Sequence, residues 1–178
     1  MNVDEYYMNM AFAARKRAKC KGRRVGAVIA KQDRIISTGF NGTPQGMTNC
    51  LDGGCVRCNN PEKFQPGVGY DLCICVHAEQ NAVLSAARFG IAIEESTVYT
   101  TLRPCFNCSK AMLQGKVAEI VYLKDWVPPD KLIAAQYLEL QNQFPLGVRP
   151  LEMRDPDYEW ANNITAPKSK TKKYWFQK

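Results

Sequence analysis

The sequence lacks any long hydrophobic run. No window of its 178 residues approaches the roughly 18 to 20 uninterrupted apolar residues that a membrane-spanning helix needs. We also expect no secretory signal, because the first ten residues carry Asp4 and Glu5 and no basic n-region. We therefore expect a soluble, cytoplasmic protein. The length suits one domain, and a hydrophobic content of 46% argues against a mainly disordered chain.

Histidine is almost absent, since the chain has one histidine but eight cysteines. In a secreted chain eight cysteines would suggest disulfide bonds. Without a secretion signal, metal binding is the better interpretation of so many thiols. The composition therefore indicates a zinc protein.

Acidic residues are fewer than basic ones, which gives a net charge of +7. Five of these excess charges are lysines in residues 168–178, where no acid occurs. This concentration in a tail argues against a uniformly basic nucleic-acid surface on the domain itself. A mild basic bias still suits a small anionic ligand.

Hydrophobic patterning predicts an alternation of helices and strands. Apolar runs at 25–30 and 34–40, joined by a short polar turn, predict a β-hairpin. An amphipathic helix over 4–19 would bury one face, formed by Tyr6, Met10, Ala13 and Ala14. Further helices are predicted at 77–89, 104–114 and 131–143, and further strands at 97–101, 119–123 and 148–153.

This order of elements predicts one α/β domain over residues 1–160, a three-layer α/β/α sandwich around a central sheet. A basic C-terminal tail follows at 161–178. A Cys-rich insert at 41–76 interrupts the alternation, and its first part, 41–72, contains six glycines and three prolines. A loop of about 30 residues without secondary structure is improbable in a compact domain unless something, such as a metal ion, holds it together.

The sharpest chemical pattern is HAE at 77–79, followed by PCFNC at 104–108. Cys105 and Cys108 lie three residues apart at the predicted start of a helix, so their sulfurs point the same way. The positive end of the helix favours thiolates there. His77 opens another helix and supplies a third ligand. Three protein ligands leave the fourth tetrahedral position open for water, as in catalytic zinc sites.

Glu79 follows His77 by two residues, on the first turn of the same predicted helix. It would flank the metal without binding it, where it could move protons between water, a ring nitrogen and a leaving amine. The simpler alternative is a structural zinc with Glu79 as an ordinary acid at a helix N-terminus. Structural sites normally use four protein ligands and only three stand in obvious positions here, so we favour a catalytic zinc.

The order H-x-E and then P-C-x-x-C is the signature of zinc nucleobase deaminases. HAEQNAVLSAARFG and TLRPCFNCSKAML, preceded by VGAVIAKQDRIISTGFNGTPQG, resemble the deoxycytidylate (dCMP) deaminase family over residues 4–125. The zinc motifs are common to all cytidine deaminase-like proteins, whereas GFNGTPQG and the Cys-bearing insert narrow the resemblance. It implies a five-stranded mixed sheet and zinc-dependent hydrolysis of dCMP to dUMP and ammonia, which supplies a precursor of dTTP. It also implies homo-oligomers, often hexamers, activated by dCTP and inhibited by dTTP.

The resemblance implies roles for single residues as well. A water activated by zinc on His77, Cys105 and Cys108 would attack C4 of cytosine. Glu79 would protonate N3 of the ring and later the departing amine. Asn41 is similar to the asparagine that holds the sugar and base, and its alternative role is a turn residue that tolerates left-handed dihedrals.

Four arginines are candidates for contacts with nucleotides. Arg23 and Arg24 precede the first strand and would bind the 5′-phosphate or an effector triphosphate, unless they form a solvated basic turn. Arg88 matches a family arginine near the subunit interface and effector site, unless it only faces solvent. Arg103 stands beside the zinc motif where relatives vary, and it contacts a phosphate or pairs with an acid.

A second set of cysteines remains after the catalytic pair is removed, namely Cys20, Cys50, Cys55, Cys58, Cys73 and Cys75. The CxxC at 55–58 is a strong metal spacing. Several dCMP deaminases are similar in binding a structural zinc through a cysteine before the first strand and another in the insert. The resemblance thus implies Cys20 and Cys50 as ligands, to which we add Cys55 and Cys73, with Cys58 and Cys75 as alternates. Reduced thiols that pack as small hydrophobes are the alternative.

Other functions are compatible with the same motifs. A tRNA adenosine or single-stranded DNA cytosine deaminase would need a basic, stacking groove, which Tyr174, Trp175 and Phe176 among the tail lysines would supply. Deamination of dCTP or deoxycytidine is a closer variant. A non-catalytic zinc protein that binds nucleotide or nucleic acid would have no need of Glu79. The insert favours mononucleotides, because such a loop would close over a small substrate.

Overall fold

Five strands form one mixed sheet in the computed structural model, which describes residues 1–64 and 72–162. The strands are β1 (Gly26–Lys31), β2 (Arg34–Phe40), β3 (Thr97–Leu102), β4 (Glu119–Lys124) and β5 (Val148–Pro150). Their order in the sheet is β2-β1-β3-β4-β5. β1 is antiparallel to both β2 and β3, whereas β3, β4 and β5 run parallel. The five-stranded mixed sheet is therefore confirmed.

The predicted hairpin closes through a two-residue turn between β1 and β2. Its central residues, Gln32 and Asp33, both have positive φ angles, of 50° and 57°. That pair of angles is typical of the type I′ turn, whose twist matches the twist of the flanking strands. The Tyr7 hydroxyl donates a hydrogen bond to Asp33 Oδ1 at 2.8 Å, which attaches the turn to the first helix.

Helices cover both faces of the sheet. They are α1 (Val3–Arg15), α2 (Val56–Asn59), α3 (Ala78–Arg88), α4 (Phe106–Gln114), α5 (Lys131–Gln141) and α6 (Tyr158–Ala161). α1 packs on one face, where Met8 and Phe12 meet Val28. α3 and α4 pack on the other face, where Ala82 and Met112 cluster with Ile29 of β1 and Ile120 of β4. The three-layer α/β/α sandwich is confirmed.

The first helix buries a different face from the one predicted. Its buried side chains are Tyr7, Met8, Ala11, Phe12 and Arg15. The predicted face, Tyr6, Met10, Ala13 and Ala14, is exposed or half-buried, so that prediction was wrong. The helix also ends at Arg15 rather than at residue 19. The pattern misled because an arginine occupies a core position, where only its partner makes burial favourable.

That partner is Asp155, 140 residues further along the chain. Arg15 Nη1 and Nη2 donate to the two carboxylate oxygens at 2.8 and 2.6 Å, and both side chains are almost fully buried. Burial acts to raise the pKa of Asp155, but the hydrogen bonds from Arg15 and from the Asp157 amide outweigh it and hold the pKa below its usual value. The ion pair fixes the segment after β5 against the end of α1.

A close backbone contact positions α3, the helix that follows His77. A Cβ atom on Gly39 in β2 would lie 2.0 Å from the carbonyl oxygen of Ala78 and 2.5 Å from the amide nitrogen of Ala82. Only glycine permits this approach. The Ser37 hydroxyl donates to the Ala82 carbonyl at 2.7 Å on the same strand. The strand thereby fixes where the first turn of α3 lies.

No helix in the described part of the chain is long and apolar enough to cross a membrane. The predicted basic tail at 161–178 lies outside the described residues except for Ala161 and Asn162. Tyr174, Trp175 and Phe176 therefore lie outside them too. Within the described part of the insert, α2 and two short 3₁₀ helices replace the expected irregular loop.

Candidate active site

Three of the predicted zinc ligands meet between two helix N-termini. His77 is the N-cap residue of α3, Cys105 is the N-cap residue of α4, and Cys108 lies in the first turn of α4. His77 Nδ1 lies 3.3 Å from Cys105 Sγ and 3.5 Å from Cys108 Sγ. The structure thus brings together side chains that are about 30 residues apart in the sequence.

This arrangement fits a zinc ion. With bonds of about 2.0 Å to nitrogen and about 2.3 Å to sulfur, tetrahedral angles place the two atoms about 3.5 Å apart. The two nitrogen–sulfur distances agree with that value. Among the described residues, no other histidine, cysteine or carboxylate joins the group as a fourth ligand. Three protein ligands with one open position are typical of catalytic rather than structural zinc.

The electrostatics of the site favour a thiolate on Cys105. A hydrogen bond with Cys108 lowers the pKa of Cys105 to about 4, and His77 adds to the shift while burial opposes it. The pKa of Cys108 is raised, first by its hydrogen bond with Cys105 and then by burial. Thiolates are the form in which cysteine binds metal, so the site already holds one ligand ready.

Glu79 lies on the first turn of α3 and is buried. The Thr100 hydroxyl donates a hydrogen bond to Glu79 Oε1 at 2.8 Å. Burial raises the pKa of Glu79, while His77 and the Thr100 hydrogen bond oppose the shift. A carboxyl group of raised pKa beside three metal-binding side chains is suited to accept and donate protons near neutral pH.

A buried polar network, which the sequence analysis missed, supports the loop of the two cysteines. Tyr137 on α5 donates to the Pro104 carbonyl at 2.6 Å, and Gln141 Nε2 donates to Tyr137 Oη at 2.7 Å. Gln141 Nε2 also lies 3.0 Å from Ser109 Oγ. Both side chains are almost completely buried. The available signal was their spacing of four residues, which places two hydrogen-bonding side chains on one face of a helix.

Arg103 pairs with an acid, one of the two possibilities left open by the sequence. Its Nη1 lies 3.0 Å from Asp125 Oδ1, and its Nε donates to Gln141 Oε1 at 2.7 Å. Its guanidinium also lies over the rings of Tyr122 and Tyr137. These contacts make Arg103 part of the network that holds the Pro104 loop.

Arg23 and Arg24 line a cavity at the end of β3, together with Arg15, Lys124 and Asp155. Its lining includes both Thr101 and Leu102, adjacent residues whose side chains alternate between the two faces of the strand, so the cavity lies at the strand end and not on one face of the sheet. None of the three proposed zinc ligands lines this cavity. Arg23 is exposed.

Arg24 differs from Arg23 because it anchors the last helix. Its side chain donates to the Trp160 carbonyl, and its guanidinium lies 4.6 Å from the centre of the Trp160 ring. The Arg24 amide donates to the Ala161 carbonyl at 2.7 Å. These contacts connect the residues just before β1 to α6.

Asn41 is buried and contacts backbone on two sides. Its Oδ1 accepts from the Val25 amide, and its Nδ2 donates to the Arg23 carbonyl, both at 2.8 Å. Those bonds tie the end of β2 to the residues before β1. One amide hydrogen and one lone pair of the side chain remain for a further partner.

Arg88 lies on the exposed side of α3, away from the zinc ligands. Its Nη1 is 3.5 Å from Gln45 Oε1, and it lines a shallow depression with Asn81, Leu84 and Phe89. Leu84 and Phe89 are 55% and 70% exposed. An arginine beside exposed apolar side chains is compatible with the predicted subunit interface.

The remaining six cysteines form one cluster, which comprises two overlapping groups of four. The first group is Cys20, Cys50, Cys58 and Cys75, and the second is Cys55, Cys58, Cys73 and Cys75. All are buried except Cys73, which is half-buried. The structure gathers the four expected ligands, Cys20, Cys50, Cys55 and Cys73, but distributes them over both groups. The two expected alternates, Cys58 and Cys75, occur in both.

Comparison with known proteins identifies relatives over most of the described chain. The family model described as "Cytidine and deoxycytidylate deaminase zinc-binding region" matches residues 1–124. The chain is 44% identical over 119 residues to a protein of Schizosaccharomyces pombe named deoxycytidylate deaminase, which is 67% of the chain and 36% of that protein. It is 41% identical over 123 residues to the protein of the same name from Saccharomyces cerevisiae, or 69% of the chain and 38% of that protein.

A solved structure supports the same relationship. The dCMP deaminase of the cyanophage S-TIM5, in complex with dCMP and dUMP, superimposes with a TM-score of 0.64 at 28% identity. The superposition covers 85% of this chain and 99% of that one. In contrast, this chain spans little more than a third of each yeast protein.

Proposed function

The chain belongs to the cytidine and deoxycytidylate deaminase zinc-binding family, and we propose that it catalyses the hydrolysis of dCMP to dUMP and ammonia. The observation that carries this proposal is the buried Glu79. It lies on the first turn of α3, next to His77, and accepts a hydrogen bond from Thr100. The names of the two yeast relatives and the nucleotides bound to the cyanophage enzyme support dCMP as the substrate.

His77, Cys105 and Cys108 would hold the catalytic zinc ion, which supplies a water molecule activated as a nucleophile near neutral pH. Glu79 accepts the proton that this water loses and delivers it to N3 of the cytosine ring. The oxygen of that water becomes bonded to C4, and the same carboxylate carries the proton of this new hydroxyl group to the exocyclic nitrogen. The C4–N bond then breaks, ammonia leaves and a C4 carbonyl remains. The raised pKa of Glu79 suits both transfers.

For the rest of the substrate we propose two contacts. Exposed Arg23 would bind the 5′-phosphate, since Arg24 is already engaged with Trp160. Asn41 would offer its remaining amide hydrogen to the sugar or base, next to the backbone that it holds.

We extend the proposal to regulation and assembly on the basis of the family. dCTP would activate and dTTP would inhibit a homo-oligomer, of which the hexamer is the expected form. Arg88 and the exposed Leu84 and Phe89 would lie at the subunit interface and effector site. A cytoplasmic location fits the eight free cysteines, because thiols stay reduced there. A second metal site at the other six cysteines completes the proposal.

Ammonia release by the purified, zinc-replete protein tests the function. The substrates are dCMP, CMP, dCTP, deoxycytidine, tRNA and single-stranded DNA, each with and without added dCTP and dTTP. We expect turnover of dCMP alone among them, raised by dCTP and lowered by dTTP. Reaction of a polynucleotide but of no mononucleotide would identify a base-modifying enzyme instead.

The matched control is Glu79→Gln, which removes the proton carrier but keeps the size of the side chain. Turnover should fall by about 10²- to 10⁴-fold, the contribution typical of a positioned acid–base group, with the zinc content unchanged. A protein that binds zinc and shows no turnover with any substrate would be a binding module, and the proposed reaction would be wrong.

A further inference from the structure

The cluster of six cysteines has an arrangement that one zinc ion does not account for. Each of its two groups of four contains a complete set of tetrahedral ligands, and the two groups share Cys58 and Cys75. Geometrically, they are two tetrahedra with a common edge. Cys20 and Cys50 complete one tetrahedron, and Cys55 and Cys73 complete the other.

We propose that these cysteines bind two zinc ions, with the sulfurs of Cys58 and Cys75 bridging the two metals. Cys20 and Cys50 are terminal ligands of the first ion, and Cys55 and Cys73 are terminal ligands of the second. This inference extends the second metal site in the proposed function, but it is independent of the deamination reaction. The chain would then carry three zinc ions, two in the cluster and one at His77.

Distances between the sulfurs support metal coordination in both groups. Four sulfurs at about 2.3 Å from a zinc ion, at tetrahedral angles, lie about 3.8 Å from one another. The Cys20–Cys58 distance in the first group is 3.9 Å. In the second group, the Cys55–Cys73 and Cys58–Cys73 distances are 3.8 and 3.7 Å. Both tetrahedra therefore already have edges of the right length.

Charge favours two ions over one. A single zinc ion with four thiolates carries a net charge of −2 and leaves two of the six cysteines without a metal. Two zinc ions with six thiolates carry the same net charge of −2 and use every sulfur. The second arrangement leaves no thiol of the cluster buried without a partner, at no extra electrostatic cost. The Lys21 amide donates to Cys50 Sγ at 3.2 Å and lowers the cost of charge at that end.

Hydrogen bonds from one side chain hold the backbone of both groups of cysteines in place. Asn59 Nδ2 donates to the Cys50 carbonyl at 3.0 Å and to the Cys55 carbonyl at 2.8 Å. Lys21 Nζ donates to Asn59 Oδ1 at 2.9 Å and so joins the segment after α1 to α2. One asparagine thus connects a terminal ligand of the first tetrahedron with a terminal ligand of the second.

The location of the cluster gives it a structural task. It joins the residues after α1, the insert, and the segment that enters α3, since Cys75 precedes His77 by two residues. These described parts of the insert contain only very short helices and no apolar core besides the cysteines and Ile74. Two metal ions would therefore replace the hydrophobic core that this segment lacks.

Counting metal ions tests the inference directly. The full chain is purified from zinc-supplemented medium with any histidine tag removed, and zinc is measured per chain by elemental analysis and by native mass spectrometry. We expect three zinc ions per chain, and three again in Glu79→Gln. The control Cys105→Ser removes one ligand of the catalytic site and none of the cluster. It should retain the two zinc ions of the cluster. Two ions in the wild type, falling to one in Cys105→Ser, would overturn the inference, as would iron in the cluster.

Cadmium NMR tests the bridging without any variant. In the wild-type chain exchanged with ¹¹³Cd, two cluster resonances should split each other, because two cadmium ions that share a sulfur couple through it. The third resonance, from the His77 site, should show no such coupling and should be lost in Cys105→Ser. Uncoupled cluster resonances, or a single one, would contradict shared ligands. Because neither measurement uses turnover, a three-zinc protein with no deaminase activity would refute the proposed function and leave this inference standing.

Discussion

The Thr100 hydroxyl donates a 2.8 Å hydrogen bond to Glu79 Oε1, inside the protein and on the side of the sheet that faces α3. A carboxylate at the end of a side chain with several rotatable bonds needs such a partner to stay aimed at one position. The partner comes from the central strand β3, which the sheet holds on both sides. The rigid part of the fold thus orients the group proposed to carry protons.

Thr100→Val should therefore lower kcat for dCMP by about 10- to 100-fold. The hydrogen bond to a carboxylate is worth about 1.5 to 3 kcal/mol, and each 1.4 kcal/mol is a factor of about ten in rate. Zinc content should not change, because the Thr100 hydroxyl has Glu79 Oε1 and the Leu102 carbonyl as hydrogen-bond partners and none of the three proposed ligands. Thr100→Ser keeps the hydroxyl and should retain most of the activity. An unchanged kcat in Thr100→Val would show that the bond does not position Glu79.

Removing the hydroxyl of Tyr137 should weaken zinc binding at the catalytic site. In Tyr137→Phe the Pro104 carbonyl loses its 2.6 Å donor and keeps only the Ser109 hydroxyl at 3.5 Å, and Gln141 loses an acceptor, both inside the protein. Groups that orient metal ligands typically contribute about 10- to 100-fold in metal affinity. Competition with a zinc chelator measures the change. Tyr6→Phe, which alters an exposed tyrosine, serves as the control, and equal affinities in the two variants would contradict the assigned support.

Arg23→Ala should raise KM for dCMP by about tenfold or more with little change in kcat, because a phosphate contact far from the reacting carbon acts through binding. Arg34→Ala is the matched control, since Arg34 is another exposed arginine but lies in the hairpin. Steady-state kinetics of ammonia release decide between them. If Arg23→Ala and Arg34→Ala have the same KM, the phosphate binds elsewhere.

The ion pair of Arg15 and Asp155 predicts how stability depends on pH. The pKa of Asp155 is held below its usual value in the folded protein, so the unfolded chain binds more protons in acid. Its contribution to the free energy of unfolding is therefore present above about pH 4 and is lost as the pH falls further. Asp155→Asn removes the bidentate partner of the buried Arg15 and leaves it only Asp157, whose Oδ2 lies 3.7 Å from Nη2. The substitution should cost about 3 to 5 kcal/mol at pH 7.

Urea unfolding of the wild type and Asp155→Asn at pH 7, 5, 4 and 3 measures this effect. The difference between the two proteins should be constant from pH 7 to 5 and should shrink below pH 4. Zinc release in acid affects both proteins, so only their difference is interpreted. A difference that stays constant down to pH 3 would mean that Asp155 does not titrate against Arg15 in the folded state.

Sequence patterns were sufficient for the order of elements and for the zinc motif, because those signals are local. The strand at 34–40 and the helix starts at His77 and Cys105 depend on neighbouring residues only. The buried face of α1 was not predictable in this way, because Arg15 is stabilised by Asp155, far away in the sequence. The sharing of Cys58 and Cys75 was also inaccessible, because spacing along a chain does not reveal how sulfurs group in space.

Gly39 offers the strictest test of how the sheet positions the site. In Gly39→Ala the new Cβ would lie 2.0 Å from the Ala78 carbonyl oxygen, so α3 must move away from β2. His77 and Glu79 lie at the first turn of that helix, and the three-ligand zinc site depends on their position relative to α4. We expect the zinc content to fall, turnover to fall by about 10²-fold or more, and the free energy of unfolding to fall by about 1 to 3 kcal/mol.

Gly42→Ala is the control, because a Cβ there meets nothing within 4 Å. Elemental analysis, ammonia release and urea unfolding measure the three quantities. If Gly39→Ala resembles Gly42→Ala in all of them, the close contact of β2 with α3 is not what places His77 and Glu79.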